Sequence, residues 1–491
     1  MRDAGESGSM PLARGSAVMF LAIVGTGGLG ILISITIARL VGVGDFGIYS
    51  ILVSIQGVFV LAATFGLSSA AGKFVAEYRK RDPALVGRYA KTALVLGVLS
   101  SSISLVIYVA LSHFIGVDLY GEHAIVDLIP FSALVMVALA FHSFAVGLMQ
   151  GFQRMKMLAF FQVGVPIVNI AIVVPLVAFF GLQGAFISAF IAQISTLVAG
   201  FYMIHSRLVP FSRGEVHILK DEVAKKLLNF ALPGVIAGFL VAPVYWIGNT
   251  ELVLTSGFDA MGLMAVALVF FNALSLIPQA IVIPLMPRVS ELSVTTPEQV
   301  GMMVSKALRY VALFAFPLSL GIALYDEQIV TFFYGASYAH TSDAMYLLVA
   351  AAYFTQTASI IGGMITGLGR MWLALGMSLA WALSFIGLTF LFVPAYGPLG
   401  LGASYAVSYA FLMIVDFAVV RGVLKQDIAS AIPSVLVPAV FFVGGFLVFV
   451  LTPDLRLIVA SIILVMGIIA SLFVSRKDLN QIIGHIRSML P

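Results

Sequence analysis

Arg39 and Asp45 stand inside the run Ile37–Ser50 (IARLVGVGDFGIYS), whose other residues are apolar, glycine, or the small polar Tyr-Ser end. A charge within a membrane-type apolar stretch costs roughly 2.5–3.5 kcal/mol, so it is expected to be paired or to face a polar cavity. Placed across a helix end, these two could clamp a turn together, or bind a polar ligand or coupling ion. Four further cations, Lys73, Arg154, Arg288 and Arg370, sit at the ends of apolar runs and could hold anionic oxygens, the arginines in bidentate fashion. Within the runs, Gln56, His142, Asn169, Asn272 and Gln279 could line a polar cavity or bond between helices. Tyr245, Trp246, Asn249 and Glu251 form a cluster that could stack on and hydrogen-bond sugar-like ligands, or anchor a helix at an interface. No nucleophile–base pair is evident. With no cysteine in the chain and no partners for His142, no metal or thiol site is expected.

The elements that must position these residues are dictated by the solvent. The 491 residues are 61% hydrophobic and only 10% charged, with a mean hydropathy of +1.11. A water-soluble chain of this composition would have more apolar surface than its interior could hide, so the solvent is lipid. The net charge of +4 and pI near 9.1 do not point to nucleic acid, because the basic residues lie in short loops between apolar runs. The polar segment 1–16 reads as a cytoplasmic N-terminal tail and not a cleaved leader.

A helix needs about 20 apolar residues to span. Fourteen such segments are expected: 17–38, 46–71, 92–113, 125–149, 157–180, 184–204, 228–249, 262–285, 306–325, 344–368, 372–393, 399–420, 431–451 and 456–474. Orientation follows from Lys and Arg. With both termini cytoplasmic, all of the 26 Lys and Arg except Arg39 and Arg456 fall inside. The connection 205–227 reads as a cytoplasmic linker with an amphipathic part at 216–226. The cytoplasmic tail 475–491 reads either as a surface helix or as a frayed end.

Four stretches recur at offsets of 214 to 216 residues. GVGDFGIY (42–49) faces GFDAMGLM (257–264), and Leu119-Tyr120-Gly121 faces Phe333-Tyr334-Gly335. GLMQGFQRM (147–155) faces GMITGLGRM (363–371), and Gly181, Gly184 and Ser188 face Gly397, Gly400 and Ser404. The fold class is therefore an all-α polytopic membrane protein of 14 transmembrane helices. Two parallel six-helix repeats, lobes at 17–204 and 228–420, are expected around a central cavity, with two C-terminal helices at 431–474 added. Parallel repeats of this kind carry a substrate site between halves in transporters. The repeat pairs Lys73 with Arg288 and Arg154 with Arg370, whereas Arg39 and Asp45 face Leu254 and Ala260. Gly25–Gly30 satisfies G-x-G-x-x-G but lies mid-helix, without the strand that a dinucleotide site requires. Gly27 and Gly28 in the first helix, and Pro243 in its counterpart, are expected hinges.

The run Ala38–Ser50, together with Phe65-Gly66-Leu67, Lys73, Ala76-Glu77-Tyr78 and the two Tyr-Gly turns, resembles the Wzx-like polysaccharide flippases of the MOP exporter superfamily, which also holds MATE exporters and MurJ flippases. The resemblance covers both lobes in layout. It implies alternating access and a lipid-linked oligosaccharide, on a polyprenyl-type phosphate or pyrophosphate carrier, moved from the cytoplasmic to the outer leaflet. The four inner cations would then meet phosphate, although the positive-inside rule alone would place such residues there. A MATE-like cation-coupled exporter is the alternative, weakened by the lack of acids in the apolar centres of spans 1 and 3–6. A glycosyltransferase, polymerase or ligase lacks a loop long enough to build a site. An uncoupled scramblase or scaffold stays open. No cofactor is expected; coupling to a Na⁺ or H⁺ gradient stays open. Membrane lipids and glycan-assembly proteins are the partners to expect for a monomer.

Overall fold

The computed structural model describes residues 6–79, 81–207, 222–451, 456–474 and 476. Those residues form helices, short 3₁₀ or π turns and connecting loops, without strands. The chain divides into two compact units, Met1–Leu254 and Thr255–Pro491. The boundary falls within one helix, so segment 228–254 groups with the first unit.

The first unit holds α1 (Glu6–Val41), α2 (Val43–Thr64), α3 (Leu67–Tyr78), α4 (Pro83–Ala110), α5 (His123–Gly151), α6 (Met155–Arg207), α7 (Glu222–Gly238) and the first part of α8 (Ala242–Leu274). The second unit holds the rest of α8, then α9 (Ile277–Thr295), α10 (Glu298–Leu324), α11 (Asp326–Tyr334), α12 (Ser342–Gly367), α13 (Met371–Gly422), α14 (Ile432–Leu451) and α15 (Arg456–Val474). Ten helices among the described residues are long and apolar enough to cross a membrane. At 1.5 Å per residue, α6 and α13, of 53 and 52 residues, would each run about 80 Å if straight, against a hydrocarbon core of about 30 Å. Each instead turns at a glycine, Gly181 or Gly397, and supplies two arms.

The duplication seen in the sequence is repeated in backbone angles. Gly42 (φ 85°, ψ 177°) and Gly257 (φ 83°, ψ 178°) make the same turn. Gly181 (φ 56°, ψ −135°) and Gly397 (φ 53°, ψ −128°) make another. These conformations lie in the region that only glycine enters without steric cost, which is why these residues stand out in sequence. Close crossings recur as well. A side chain on Gly147 would strike the Ser68 carbonyl, and one on Gly151 would meet Gly72 and Val75. In the second unit, Gly363 abuts Val282, and Gly367 abuts Met286 and Val289. The partner strip is displaced by 214 residues and the glycine strip by 216.

The structure revises several expected boundaries. Helix α1 begins at Glu6, so most of the expected tail is helical. The expected span 46–71 is broken at Phe65 and Gly66, both left-handed (φ 44° and 64°). The break strands the Ala63 carbonyl, which instead accepts bonds from the hydroxyls of Ser100 (2.6 Å) and Ser101 (3.4 Å). Gly66 is required there because a Cβ would lie 2.9 Å from the Ala231 carbonyl oxygen of α7. The expected span 228–249 is interrupted at residues 239–241, between α7 and α8. Most of linker segment 205–227 and of tail 475–491 lies outside the described residues. In the second unit, α14 and α15 pack on α10, and α14 also meets α12. The hydroxyls of Tyr346 and Tyr353 on α12 donate to the carbonyls of Phe442 (2.8 Å) and Ser434 (3.2 Å).

Candidate functional site

Three groups of candidate residues lie in the first unit, and the remaining candidates are spread over both units. At the turn from α1 to α2, Arg39 occupies the last turn of α1 and Asp45 the first turn of α2. Both are exposed. Each charge complements the dipole of its own helix end, an interaction of about 0.3–1 kcal/mol, which favours a structural part in the turn.

A polar seam lies between α2, α4 and α5. Gln56 is buried and accepts a bond from the Ser132 hydroxyl (3.4 Å), which also meets the Tyr108 hydroxyl (3.2 Å). Tyr108 stacks on Phe59 with ring centroids 4.4 Å apart. The sequence singled out Gln56 but neither of its partners.

The third place joins the start of α8 to the rest of the first unit. The Trp246 indole N–H donates to the Tyr120 hydroxyl (3.0 Å), which is 2.7 Å from the Thr250 hydroxyl. Asn249 donates to Ser54 on α2 (3.1 Å). Burial pushes the Tyr120 hydroxyl above the ordinary tyrosine range, while its two hydrogen bonds pull it back, so it is a protonated donor at neutral pH. Trp246 and Asn249 are thus engaged within the protein. Sequence distance hid these contacts, since Tyr120 precedes Trp246 by 126 positions.

The four cations are not alike. Lys73 lies over the rings of Phe230 (4.1 Å) and Phe74 (5.1 Å), an attraction of about 0.5–1 kcal/mol at an exposed site. Arg288 is ion-paired to Glu291 at 2.6 Å. The register of the glycine crossings sets Lys73 opposite Pro287 and Arg288 opposite Phe74, one residue from the pairing expected from sequence. Arg154 and Arg370 are true counterparts. Each follows a left-handed residue (Gln153, φ 56°; Gly369, φ 71°), and each N–H returns to a carbonyl five residues earlier at 3.1 Å. Both side chains are exposed, with no bond to another described side chain, and both have the planar fork that suits phosphate oxygens.

Among the remaining candidates, His142 stacks on Phe161 (4.3 Å, 13°), with its Nδ1 buried and unbonded. The Asn169 Oδ1 is also buried without a partner, whereas Asn272 and Gln279 are exposed. Of the expected hinges, Gly27 and Gly28 lie within unbroken α1, and a Cβ on Gly28 would meet open space. Pro243 is the second residue of α8, just past the break between α7 and α8. The described residues contain no group of three or more His, Cys, Asp or Glu able to hold a metal.

Duplicated helical units with glycine-turned double spans define a multi-pass helical membrane protein, and its fold is similar to those of solved flippases and transporters. The lipid II flippase MurJ, in an inward closed conformation, matches with a TM-score of 0.74 at 15% identity, over 96% of this chain and 100% of that one. An inward-facing multidrug resistance MATE family transporter of the MOP superfamily matches at 0.72 and 15% identity, over 85% of this chain and 98% of that one. A family model described as polysaccharide biosynthesis protein matches residues 12–293, and the chain belongs to that family. The EPS I polysaccharide export inner membrane protein EpsE of Ralstonia nicotianae is 24% identical over 410 residues, 80% of this chain and 90% of that protein.

Proposed function

We propose that this protein is a flippase that carries a lipid-linked oligosaccharide, on a polyprenyl-type phosphate or pyrophosphate, from the cytoplasmic to the outer leaflet by alternating access. The observation that carries the reading is the equivalence of Arg154 and Arg370: two exposed guanidinium groups on the same turn of two duplicated units, in a chain of the polysaccharide biosynthesis family. Each guanidinium presents the planar fork that suits the oxygens of a lipid phosphate or pyrophosphate, a group that a small cationic amphiphile lacks. The Lys and Arg distribution supports placing both termini in the cytoplasm, which puts both arginines on the side where such lipids are loaded. The protein acts as a transporter and not as an enzyme, and glycan-assembly proteins are its functional partners. Asn169 and Gln56 are assigned to polar contacts along the path, and Trp246 to holding the start of α8.

The test is translocation of a fluorescent lipid-pyrophosphate oligosaccharide in proteoliposomes, run beside a drug-efflux assay on the same preparation. Flipping without efflux is expected. Efflux without flipping would replace this reading with the MATE-like one, which shares the fold at nearly the same similarity.

A further inference from the structure

Buried charge is scarce. Among the described residues only Asp326 and Asp416 are charged side chains that are buried. Asp326 opens α11, outside the spans, and its Oδ1 accepts the Glu327 N–H at 2.7 Å. Asp416 lies within a spanning arm of α13, is 2% exposed, and its Oδ2 has no hydrogen-bond partner. An ionisable group in such a place is expensive to keep unless it has work to do.

Its position follows from two independent observations. The arms of α13 before and after Gly397 run antiparallel and are laced by ring contacts, Phe385 with Tyr405 (4.8 Å) and Trp381 with Tyr409 (5.3 Å). One turn further along each arm come Met377 and the stretch Met413–Asp416, and both methionines are buried. The duplication gives the same answer. Helices α5–α6 map onto α12–α13 at 216 throughout, through Gly147 and Gly363, Arg154 and Arg370, and Gly184 and Gly400. In that register Asp416 corresponds to Gly200, and Met377 to Phe161. A Cβ on Gly200 would strike the Phe161 ring, so the Asp416 side chain is directed into the seam between the arms. The first unit seats a titratable group at this same spot: His142, stacked on Phe161 with its Nδ1 unbonded.

The groups around Asp416 offer no compensating charge. Residues 344–367 of α12 contain only Tyr346 and Tyr353, whose hydroxyls are committed to α14 carbonyls. Residues 432–447 of α14 carry no titratable group, and the second-unit part of α8, which reaches α13 through Phe271, carries Asp259 alone. Tyr405 and Tyr409 belong to the ring ladder. Arg370, Arg421, Lys425 and Asp427 lie at helix ends, and no ion pair joins any of them to Asp416. An isolated carboxylate here carries a desolvation cost that a neutral acid largely avoids. A metal cation would demand several ligands, and among the described residues Asp416 belongs to no group of three or more His, Cys, Asp or Glu. A proton needs only the one oxygen. A cavity of about 620 Å³ opens on the same arm, lined by Phe417, Ala418, Arg421 and Lys425, with Asp416 itself buried beside it in sequence and not part of its lining.

We propose that Asp416 is a proton-binding site in the seam of the second unit, and that it couples the transport cycle to a proton gradient. A proton delivered by water bonds to the carboxylate oxygen on one face, and the same O–H bond breaks to water on the other. The coupling half of this proposal rests on the flippase reading; the binding half does not.

The test has two arms on the full chain in lipid vesicles. Infrared titration reads the protonated-carboxyl band: it is expected to persist at neutral pH in the wild type and to be lost in Asp416→Asn. An unchanged band would overturn the site. Isotopically labelled aspartate should shift the same band in the wild type, and Asp326→Asn should leave it unchanged, which together read the site even if Asp416→Asn fails to fold. In the flipping assay, an imposed gradient of one pH unit biases protonation about tenfold. Wild-type rate should follow that gradient, and Asp416→Asn should ignore it. Equal responses in the two proteins, or dependence on Na⁺ with none on pH, would overturn the coupling. Absence of all flipping would defeat the flippase reading and leave the infrared arm to decide the site.

Discussion

The α5–α6 pair of the first unit and the α12–α13 pair of the second share their turns but not their chemistry. Both pairs cross on two glycines and place an arginine on the same left-handed turn. Both fold a double span around a glycine of nearly the same φ and ψ. Yet the first pair carries His142, Phe161 and Gly200 where the second carries Ala358, Met377 and Asp416. Gln56, which bonds to Ser132, faces Phe271 at the offset of the Gly42–Gly257 turn that opens its own helix. Backbone geometry is thus the duplicated property, because a turn or a close crossing tolerates few residues. Buried polar groups are free to diverge wherever one unit has acquired a separate task.

The crossings offer the largest way to break this comparison. In Gly147→Ala the new methyl meets the Ser68 backbone carbonyl, which cannot move aside; in Gly363→Ala it lies 2.9 Å from a Val282 methyl, which can rotate. Overpacking costs typically 1–3 kcal/mol, so Gly147→Ala should lose about 3 kcal/mol or fail to fold, and Gly363→Ala should lose about 1 kcal/mol. Thermal unfolding in detergent measures both, and equal losses would deny that the first crossing is the tighter one. Next in size is Tyr120→Phe, which leaves the Trp246 N–H and Thr250 hydroxyl without their partner. It should cost about 1–2 kcal/mol, and Trp246→Phe should cost less because it removes only one of the two bonds. Smaller again is Tyr353→Phe on α12, at about 1 kcal/mol or less, read by the same unfolding curve as looser docking of α14.

Four further variants act on rate rather than stability. Arg154→Ala and Arg370→Ala should each slow flipping, by similar factors, with melting temperature unchanged; a large asymmetry would show that the shared turn does not mean a shared duty. Pro243→Ala should slow flipping more than Gly28→Ala, since the helix is already broken beside Pro243 and continuous through Gly28.

Much of the architecture was legible because glycine at positive φ leaves a mark in sequence. Gly42 pairs with Gly257, and Gly181 with Gly397, from the amino-acid sequence alone. Where another residue adopts that geometry the mark vanishes: Phe65 breaks a span and Gln153 matches Gly369, and neither has the composition of a turn. Side-chain partnerships were less accessible. Tyr120 with Trp246, and Lys73 with Phe230, join segments far apart in the chain, and no local periodicity encodes them. Asp416 did leave a signal, as the one acid between Met371 and Val420. Its closeness to Arg421 made it resemble an ordinary helix-end charge, and only its burial in the arm-to-arm seam separates it from one.

The measurement that bears most directly on the function is a head-to-head flipping rate in one vesicle preparation. A fluorescent lipid-pyrophosphate oligosaccharide is compared with a fluorescent phospholipid, each read by the fraction that a membrane-impermeant quencher can reach. The protein should move the glycan lipid well above the protein-free rate and leave the phospholipid at background. Equal movement of both would mean an unselective scramblase, and no movement of the glycan lipid would contradict the flippase assignment outright.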